Sequence, residues 1–408
     1  MKNKKILVII IALLIVILAS CSIITIGTMI FLGLSNISSN NIAYNNQQDS
    51  KNSIYTKMNS AITHFKNKDY KNSLDIINNI IKSNPGLTEA YILKSAILIK
   101  LQDYNNASDN INKVLDIEPL NNKAYYYLGI INYNTKNYSL AEKNFIKALE
   151  ISPNSVKFEL LLAKSLLKQL KFDAATKIYL DLLNYTPNNT EIFESLGHIY
   201  YLKSDYNKSL LSYQKAIKIN SNLISAYNGA SNSLNAMGNN YEALSYLENA
   251  LKIKPDNTTT LFNIALTYNN MNNKTKAIYY LKEVLDINNN HVEAYVALGN
   301  IYDEEKDFFN AFAYYNKALN IDKNNIQALN NIGLILLQKK QTDEAFNYFN
   351  KVILLDPDNK FAHYNQGIYY LEKSDFDNAR KEYTYLINQD NKLAEELKLE
   401  IDSKTFNF

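Results

Sequence analysis

Residues that could catalyse a reaction or hold a metal ion are few in this sequence and lie far apart. Its four histidines, His64, His198, His291 and His363, each occupy a different part of the chain, and the sequence has one cysteine. The sequence contains no HExxH pattern, which zinc peptidases need, and no GxxxxGK[ST] or GxGxxG loop for binding phosphates. It therefore predicts a protein that is not an enzyme, with no catalytic residues, no cofactor and no metal site.

The one cysteine, Cys21, lies inside a long apolar stretch. A single thiol excludes a disulfide framework, a cysteine zinc site and a CxxC redox centre. The residues around it, Leu18-Ala19-Ser20-Cys21, resemble the lipobox of bacterial lipoproteins. In that family the cysteine is diacylated and becomes the new N terminus, so the resemblance implies that Cys21 is a candidate lipidation site.

The stretch around Cys21 also fits a transmembrane anchor. Three lysines in Met1–Lys5 precede residues 6–34, which contain no charged residue. As a helix, these 29 residues would be ~43 Å long, which exceeds the ~30 Å hydrocarbon core of a bilayer. An uncleaved anchor, a lipoprotein signal and an ordinary cleaved signal all stay open for residues 1–34. All three export the rest of the chain, so we expect membrane anchoring through residues 6–34, with the remainder on the extracytoplasmic side of a bacterial cell envelope.

The overall charge of the chain argues against a nucleic-acid partner. The chain has 43 Lys plus Arg against 40 Asp plus Glu, a formal net charge of +3. This near balance excludes a strongly basic nucleic-acid binder. The chain is rich in Asn, Lys, Ile and Tyr, a bias typical of AT-rich codon usage, so part of the asparagine content has no functional meaning.

From residue 54 onward, the sequence repeats every 34 residues. After a polar, Asn/Ser-rich stretch at residues 35–53, predicted to be a flexible linker, ten repeats of 34 residues fill residues 54–393. The eighth and twentieth positions of every repeat are Gly, Ala or Ser, as Gly299 and Ala311 illustrate, and all six prolines stand at the thirty-second position. Small residues let two helices approach closely, and proline ends the second helix. Each repeat is therefore predicted to be a pair of antiparallel helices.

These residues closely resemble the tetratricopeptide repeat family, as in AYYYLGIINYNTKNYSLAEKNFIKALEISPN (residues 124–154). The resemblance implies an all-α fold, a right-handed α-solenoid of ten 34-residue helix–turn–helix units, followed by a C-terminal capping helix and tail at residues 394–408. It also implies that the first helix of each pair lines a concave groove, where partners bind.

Two sets of residues are predicted to line that groove. Repeats two to four present mainly apolar and aromatic side chains, among them Tyr126, Tyr133 and Leu160. Repeats six to ten present Asn228, Asn232, Asn263, Asn300, Asn331 and Asn365. An asparagine amide both donates and accepts hydrogen bonds, so it can pair with the backbone of an extended peptide. The second set resembles the asparagine ladder of the eukaryotic O-linked N-acetylglucosamine transferases. The alternative is that an Asn-rich chain places Asn on every exposed face.

The sequence thus favours a non-enzymatic, membrane-tethered scaffold that binds a protein or an extended peptide in its superhelical groove. Envelope assembly, secretion and polymer export are the processes that the family's habits suggest. Two alternatives stay open, namely a subunit that recruits substrates for a separate enzyme such as a glycosyltransferase, and a structural spacer without a ligand. The sequence does not determine the oligomeric state.

Overall fold

The computed structural model describes residues 48–405, and over this range the chain forms α-helices and turns and no β-strand. We number the helices α1 to α21 in chain order. The first eight are α1 (Gln48–Lys66), α2 (Tyr70–Ser83), α3 (Thr88–Lys100), α4 (Tyr104–Ile117), α5 (Asn122–Asn134), α6 (Tyr138–Ile151), α7 (Val156–Lys168) and α8 (Phe172–Leu183). The next seven are α9 (Thr190–Leu202), α10 (Tyr206–Ile219), α11 (Ile224–Ala236), α12 (Asn240–Ile253), α13 (Thr258–Asn270), α14 (Lys274–Ile287) and α15 (Val292–Glu304). The last six are α16 (Phe308–Ile321), α17 (Ile326–Gln338), α18 (Thr342–Leu355), α19 (Lys360–Glu372), α20 (Phe376–Ile387) and α21 (Asn391–Thr405).

The odd-numbered helices from α1 to α19 are the first helices of ten pairs, and the even-numbered ones are the second helices. The start of a second helix is often fixed by an aspartate. Asp69, Asp205 and Asp307, for example, each accept a hydrogen bond from the backbone N–H three residues ahead, at the N-termini of α2, α10 and α16. Such a cap satisfies an N–H that has no partner inside the helix, and it contributes about 1 kcal/mol. The expectation of tandem helix–turn–helix units is confirmed.

A backbone turn in the left-handed region joins the two helices of every pair. Between α1 and α2, Lys68 has a φ of 62°, and the N–H of Asp69 donates to the carbonyl of His64 at 2.9 Å. The corresponding residue of the sixth pair is Gly238, with a φ of 81°. The same turn recurs with positive φ at Gln102, Lys136, Leu170, Ser204, Asn272, Lys306, Lys340 and Ser374. The chain thus reverses with one uniform turn, although nine of the ten residues are not glycine.

Packing inside the pairs depends on the small residues that the sequence repeats. A Cβ atom on Gly129 would collide with the ring of Phe145, and one on Gly299 would collide with the ring of Tyr315. Both rings are fully buried. Burying a large apolar side chain contributes ~1.5–3 kcal/mol, so the small residue on the first helix allows the second helix to bury its aromatic residue.

The chain divides into two compact units, with the boundary between Ile192 and Phe193. In the first unit, successive helices from α1 to α8 pack against each other, and in the second unit those from α10 to α21 do so. The final helix, α21, packs against both α19 and α20. Its Leu397 is buried and lies against Gly367 of α19. This arrangement confirms the predicted C-terminal capping helix.

Two helices begin earlier than the sequence indicates. Helix α1 begins at Gln48, within the predicted linker, because residues 48–53 contain no Pro or Gly to prevent helix extension. Helix α21 begins at Asn391 rather than at 394, because the Asp390 side chain accepts hydrogen bonds from the N–H groups of Lys392 and Leu393 at 3.1 and 3.3 Å. Within residues 48–405, every helix is too short or too polar to cross a bilayer.

Candidate functional site

The first helices of neighbouring pairs touch each other directly. Helices α3 and α5 do so in the first unit, and α11 and α13 in the second, where their contact is more extensive than that between consecutive second helices. Within each unit, neighbouring first helices therefore pack against each other more closely than consecutive second helices do. We call the side of α11, α13, α15, α17 and α19 on which the six predicted asparagines lie the asparagine face.

At the start of this face, Asn228 joins α11 to α13. Its amide nitrogen donates to the hydroxyl of Thr260 at 3.1 Å, and its Oδ1 accepts from Asn263 at 3.3 Å. Asn228 and Asn263 are both buried, and so is Thr260. A buried amide without partners would cost ~1–3 kcal/mol, so these hydrogen bonds fix how the two helices sit together. Asn228 and Asn263, which the sequence predicts to line the groove, are thus 7% and 8% exposed and bonded between helices; their contact with a partner stays a prediction.

A second polar link joins α15, α16 and α17. The buried Tyr315 hydroxyl donates to Asn300 Oδ1 at 2.8 Å, and Asn331 Nδ2 lies 2.9 Å from that oxygen and 3.0 Å from the hydroxyl. Burial, with a smaller contribution from the negative charge of Asp303, raises the pKa of Tyr315, so its hydroxyl keeps its proton and remains a donor. Burial also raises the pKa of Asp303.

This second link leaves two polar groups unused. The Nδ2 group of Asn300 and the Oδ1 atom of Asn331 have no hydrogen-bond partner within the described part of the chain. Both residues are half-buried, not enclosed. Adjacent first helices therefore present one free donor and one free acceptor, the pair of groups that a peptide backbone offers in return.

The two remaining asparagines differ from each other. Asn365 is buried and donates to Asn330 Oδ1 at 3.3 Å, so it links α19 to α17. Its predicted contact with a partner stays a prediction. Asn232 is half-buried and forms no side-chain hydrogen bond with any residue between 48 and 405. Together with Asn300 and Asn331, it is the part of the predicted set that has capacity left for a partner.

The predicted apolar residues of the first unit lie mostly inside it. Tyr126 is 2% exposed and Leu160 1% exposed. The Tyr126 ring stacks on Phe158 of the next first helix, with centroids 5.0 Å apart. Close packing of α5 against α7 thus buries the apolar side chains of these two residues, which the sequence predicts to be accessible in the groove. Tyr133 is half-buried beside Tyr138, with ring centroids 5.4 Å apart, so it retains some accessible surface.

The predicted lipidation site and membrane anchor are not in the described part of the chain. Cys21 and the apolar stretch at residues 6–34 lie outside the described residues. Between residues 48 and 405, no three His, Cys, Asp or Glu side chains converge in a way that could hold a metal ion.

The sequence did not predict that the hydroxyls of Thr260, Thr267 or Tyr315 take part in these hydrogen bonds. Thr267 accepts a hydrogen bond from Asn235 at 2.8 Å, just as Thr260 accepts one from Asn228. A signal for Thr260 was present, because most repeats have alanine at its position, as at Ala226 and Ala294. A hydroxyl at a buried alanine position indicates a polar partner on the neighbouring helix.

Comparison with known proteins identifies the repeats. Family models of the tetratricopeptide repeat match residues 88–119, 122–155, 190–223, 224–257, 258–291, 292–325 and 326–359, which together exceed half of the chain. No curated protein matches the chain.

Among solved structures, a tetratricopeptide repeat protein from Parabacteroides merdae ATCC 43184 is similar, with a TM-score of 0.54 and 19% identity over 61% of this chain and 98% of that one. At this identity the likeness shows the fold alone. The APC/C hetero-tetramer Cut9-Hcn1 gives a TM-score of 0.49 at 13% identity, covering 84% of this chain and 95% of that one. The MamA protein gives 0.34 at 23% identity, covering 41% and 92%. Neither of these two scores supports a conclusion. From its repeat pattern, its paired helices and the matching family models, the chain belongs to the tetratricopeptide repeat family.

Proposed function

We propose that the protein is an interaction scaffold that holds an extended segment of a protein partner against the asparagine face. Membership of the tetratricopeptide repeat family supports a role in protein–protein interaction. The observation that carries the proposal is the pair of unused groups at Asn300 and Asn331. A free donor and a free acceptor on neighbouring helices suit a peptide backbone of any sequence.

The asparagines that already have partners support the proposal in a second way. Hydrogen bonds such as those between Asn228, Thr260 and Asn263 hold neighbouring first helices in place. Binding groups on a rigid support lose less conformational entropy when a ligand arrives. In this proposal, the buried asparagines position the face, and Asn232, Asn300 and Asn331 contact the partner.

The test is Asn300→Asp, which keeps the oxygen that accepts from Tyr315 and Asn331 but removes the free amide donor. Losing one such hydrogen bond is worth ~0.5–1.5 kcal/mol, so we expect partner affinity to fall by about 2- to 10-fold. The readout is cross-linking in native membranes, followed by mass spectrometry of the proteins that co-purify. Asn320→Asp is the matched control, because it adds the same charge on an exposed position of α16.

A ligand-free structural spacer is the second candidate. It is favoured by the number of asparagines whose groups are satisfied between helices, as at Asn228, Asn263 and Asn365. Under this alternative, Asn300→Asp and Asn320→Asp give the same co-purification profile as the unmodified chain. That result would remove the asparagine face as a binding surface.

We also propose that residues 6–34 tether the scaffold to a membrane, with the repeats on the extracytoplasmic side of a bacterial envelope and a role in envelope assembly, secretion or polymer export. The uncharged run after three lysines supports this tether. Cys21→Ser distinguishes its two main forms. Labelled palmitate that enters the unmodified chain but not the variant indicates a lipoprotein, whereas no incorporation into either favours an uncleaved anchor. Protection of the repeats from protease in intact spheroplasts would contradict the proposed location.

A further inference from the structure

Lysines are concentrated on the first helices of the first unit. Helices α3, α5 and α7 together carry six lysines and two glutamates, whereas the second helices α4, α6 and α8 carry four lysines and six acidic residues. The six lysines are Lys94, Lys100, Lys123, Lys157, Lys164 and Lys168. In the second unit, α11, α13, α15 and α17 contain no Lys or Arg.

Composition alone does not produce this separation. A chain with 43 basic and 40 acidic residues would distribute both signs over both kinds of helix if only solubility mattered. First and second helices alternate along the same stretch of sequence, so they share any codon bias. The excess of positive charge in this stretch therefore belongs to α3, α5 and α7, whose neighbouring members pack against each other.

Lys157 is half-buried beside an aromatic ring of the preceding first helix. Its Nζ lies 4.2 Å from the centroid of the Tyr126 ring, and no carboxylate between residues 48 and 405 forms an ion pair with it. Burial, and after it the charge of Lys123, lowers the pKa of Lys157 to about 8. Lys123 occupies the position on α5 that Lys157 occupies on α7, one repeat earlier. Among the described residues, Lys164 is the one member of the six with a carboxylate partner, Glu191.

We propose that these first helices bind an acidic, extended peptide segment, with Lys123 and Lys157 as the central contacts. The inference rests on the proposed scaffold function and names the chemistry of a partner. Two half-buried cations without counter-charges repel each other, and carboxylates of a ligand would relieve that repulsion. Neighbouring helix axes lie ~8–10 Å apart, and an extended chain advances ~3.3 Å per residue. Acidic residues at about every third position of the partner therefore match successive first helices.

The experiment measures binding of two labelled twelve-residue peptides to the full chain by fluorescence polarisation. One peptide has Asp at every third position between Gly and Ser, and the other has Asn at those positions. We expect the Asp peptide to bind and the Asn peptide to bind at least about tenfold more weakly, a difference of about 1.4 kcal/mol. Affinity for the Asp peptide should also fall with added salt and as the pH rises through 8, where Lys157 loses its charge.

Paired variants separate this site from general attraction to a basic surface. Lys123→Gln with Lys157→Gln should weaken binding of the Asp peptide by about tenfold or more. Lys143→Gln with Lys177→Gln removes the same charge from exposed positions on α6 and α8 and should leave binding unchanged. If circular dichroism shows that Lys123→Gln with Lys157→Gln lowers the helical content, a second double variant takes its place. That variant is Lys100→Gln on α3 with Lys168→Gln on α7.

Two outcomes would overturn the inference, namely equal binding of the two peptides, or equal losses in the variants on first and second helices. Partner proteins that still co-purify with the unmodified chain would then show that the scaffold function stands without this acidic site. A chain that binds neither peptide and recovers no partner would remove both proposals.

Discussion

An asparagine side chain between two packed helices is a structural link, and one at the edge of the same helix is, in our proposal, a contact for a partner. Asn228 and Asn232 are one helical turn apart on α11, yet the first is buried with two side-chain hydrogen bonds and the second forms none with its side chain to residues 48–405. The sequence predicts that asparagines recur on this side of the first helices. It does not separate the two roles, because they depend on whether the neighbouring helix covers a given position.

The surroundings of His363 make the last helix pair sensitive to pH. Its Nδ1 lies 2.6 Å from Glu382 Oε2, and its Nε2 lies 3.0 Å from the carbonyl oxygen of Pro357. Neither a carbonyl nor a carboxylate donates, so both nitrogens are donors only in the protonated imidazolium. Burial by itself lowers the pKa of His363, but the bonds to Glu382 and Pro357 and the charges of Glu382 and Asp358 outweigh it, and the net pKa is raised.

We expect the last helix pair to open more easily as the pH rises. Because the pKa of His363 is higher in the folded state than in the unfolded state, the stabilisation is complete below pH ~6.5 and is lost as the pH passes the folded-state value. Charge-assisted hydrogen bonds of this kind contribute ~1.5–3 kcal/mol. Native-state hydrogen exchange of α19 and α20 measures this loss of stability. The measurement runs from pH ~6 to pH ~8.5, roughly the interval in which histidine titrates.

His363→Tyr is the control for this prediction, because tyrosine stands at the same position in other repeats, as at Tyr227 and Tyr295. The tyrosine variant should show little change in the opening free energy over the same pH range. An equal pH dependence in both proteins would assign the effect to other titrating groups.

At the scale of single elements, the helices could be predicted from the sequence and the turns between them could not. The spacing of small and large residues defines two helices per repeat without any structural knowledge. The left-handed turn residue has no such signature, since Lys68, Gln102 and Leu170 all adopt a positive φ there. The tertiary packing of each pair imposes this conformation, which is unfavourable by ~1–2 kcal/mol for a residue other than glycine.

Gly238 gives a direct measure of that conformational energy. It has a φ of 81°, and a Cβ atom there would meet no atom within 4 Å, so Gly238→Ala changes the backbone preference and no contact. We expect the variant to lower the free energy of unfolding of the second unit by ~1 kcal/mol, as measured by urea denaturation.

Gly86 is the matched position for that measurement. It also has open space around its Cα, but its φ lies outside the left-handed region. Gly86→Ala should be neutral or stabilise the chain by ~0.4–1 kcal/mol, because alanine reduces the entropy of the unfolded state. Equal effects of the two substitutions would mean that the turn conformation does not determine the loss of unfolding free energy in Gly238→Ala.

At the scale of the whole molecule, the 34-residue period is the property that makes the fold predictable. Each helix packs mainly on its neighbours in sequence within its unit, so a local pattern repeated ten times is nearly the complete description. The division between Ile192 and Phe193 was not predicted. It has no local signature, since the repeats continue across it without an insertion or deletion. The charge difference between the first helices of the two units is likewise visible only once the repeats are aligned.

The period also predicts how the chain responds to deletion. Removing residues 126–159, which is one full repeat, joins Tyr125 to Leu160 and keeps every apolar residue in its helical register. Removing residues 126–158 joins Tyr125 to Glu159 and rotates the following apolar face by about 100°, the angle between successive residues in a helix. We expect the 34-residue deletion to retain its helical content per residue and its protection from hydrogen exchange in α1 to α4. The 33-residue deletion should lose that protection, because the preceding helices no longer meet an apolar face. Circular dichroism with hydrogen exchange compares the two, and equal loss in both would show that contacts beyond neighbouring repeats hold the first unit together.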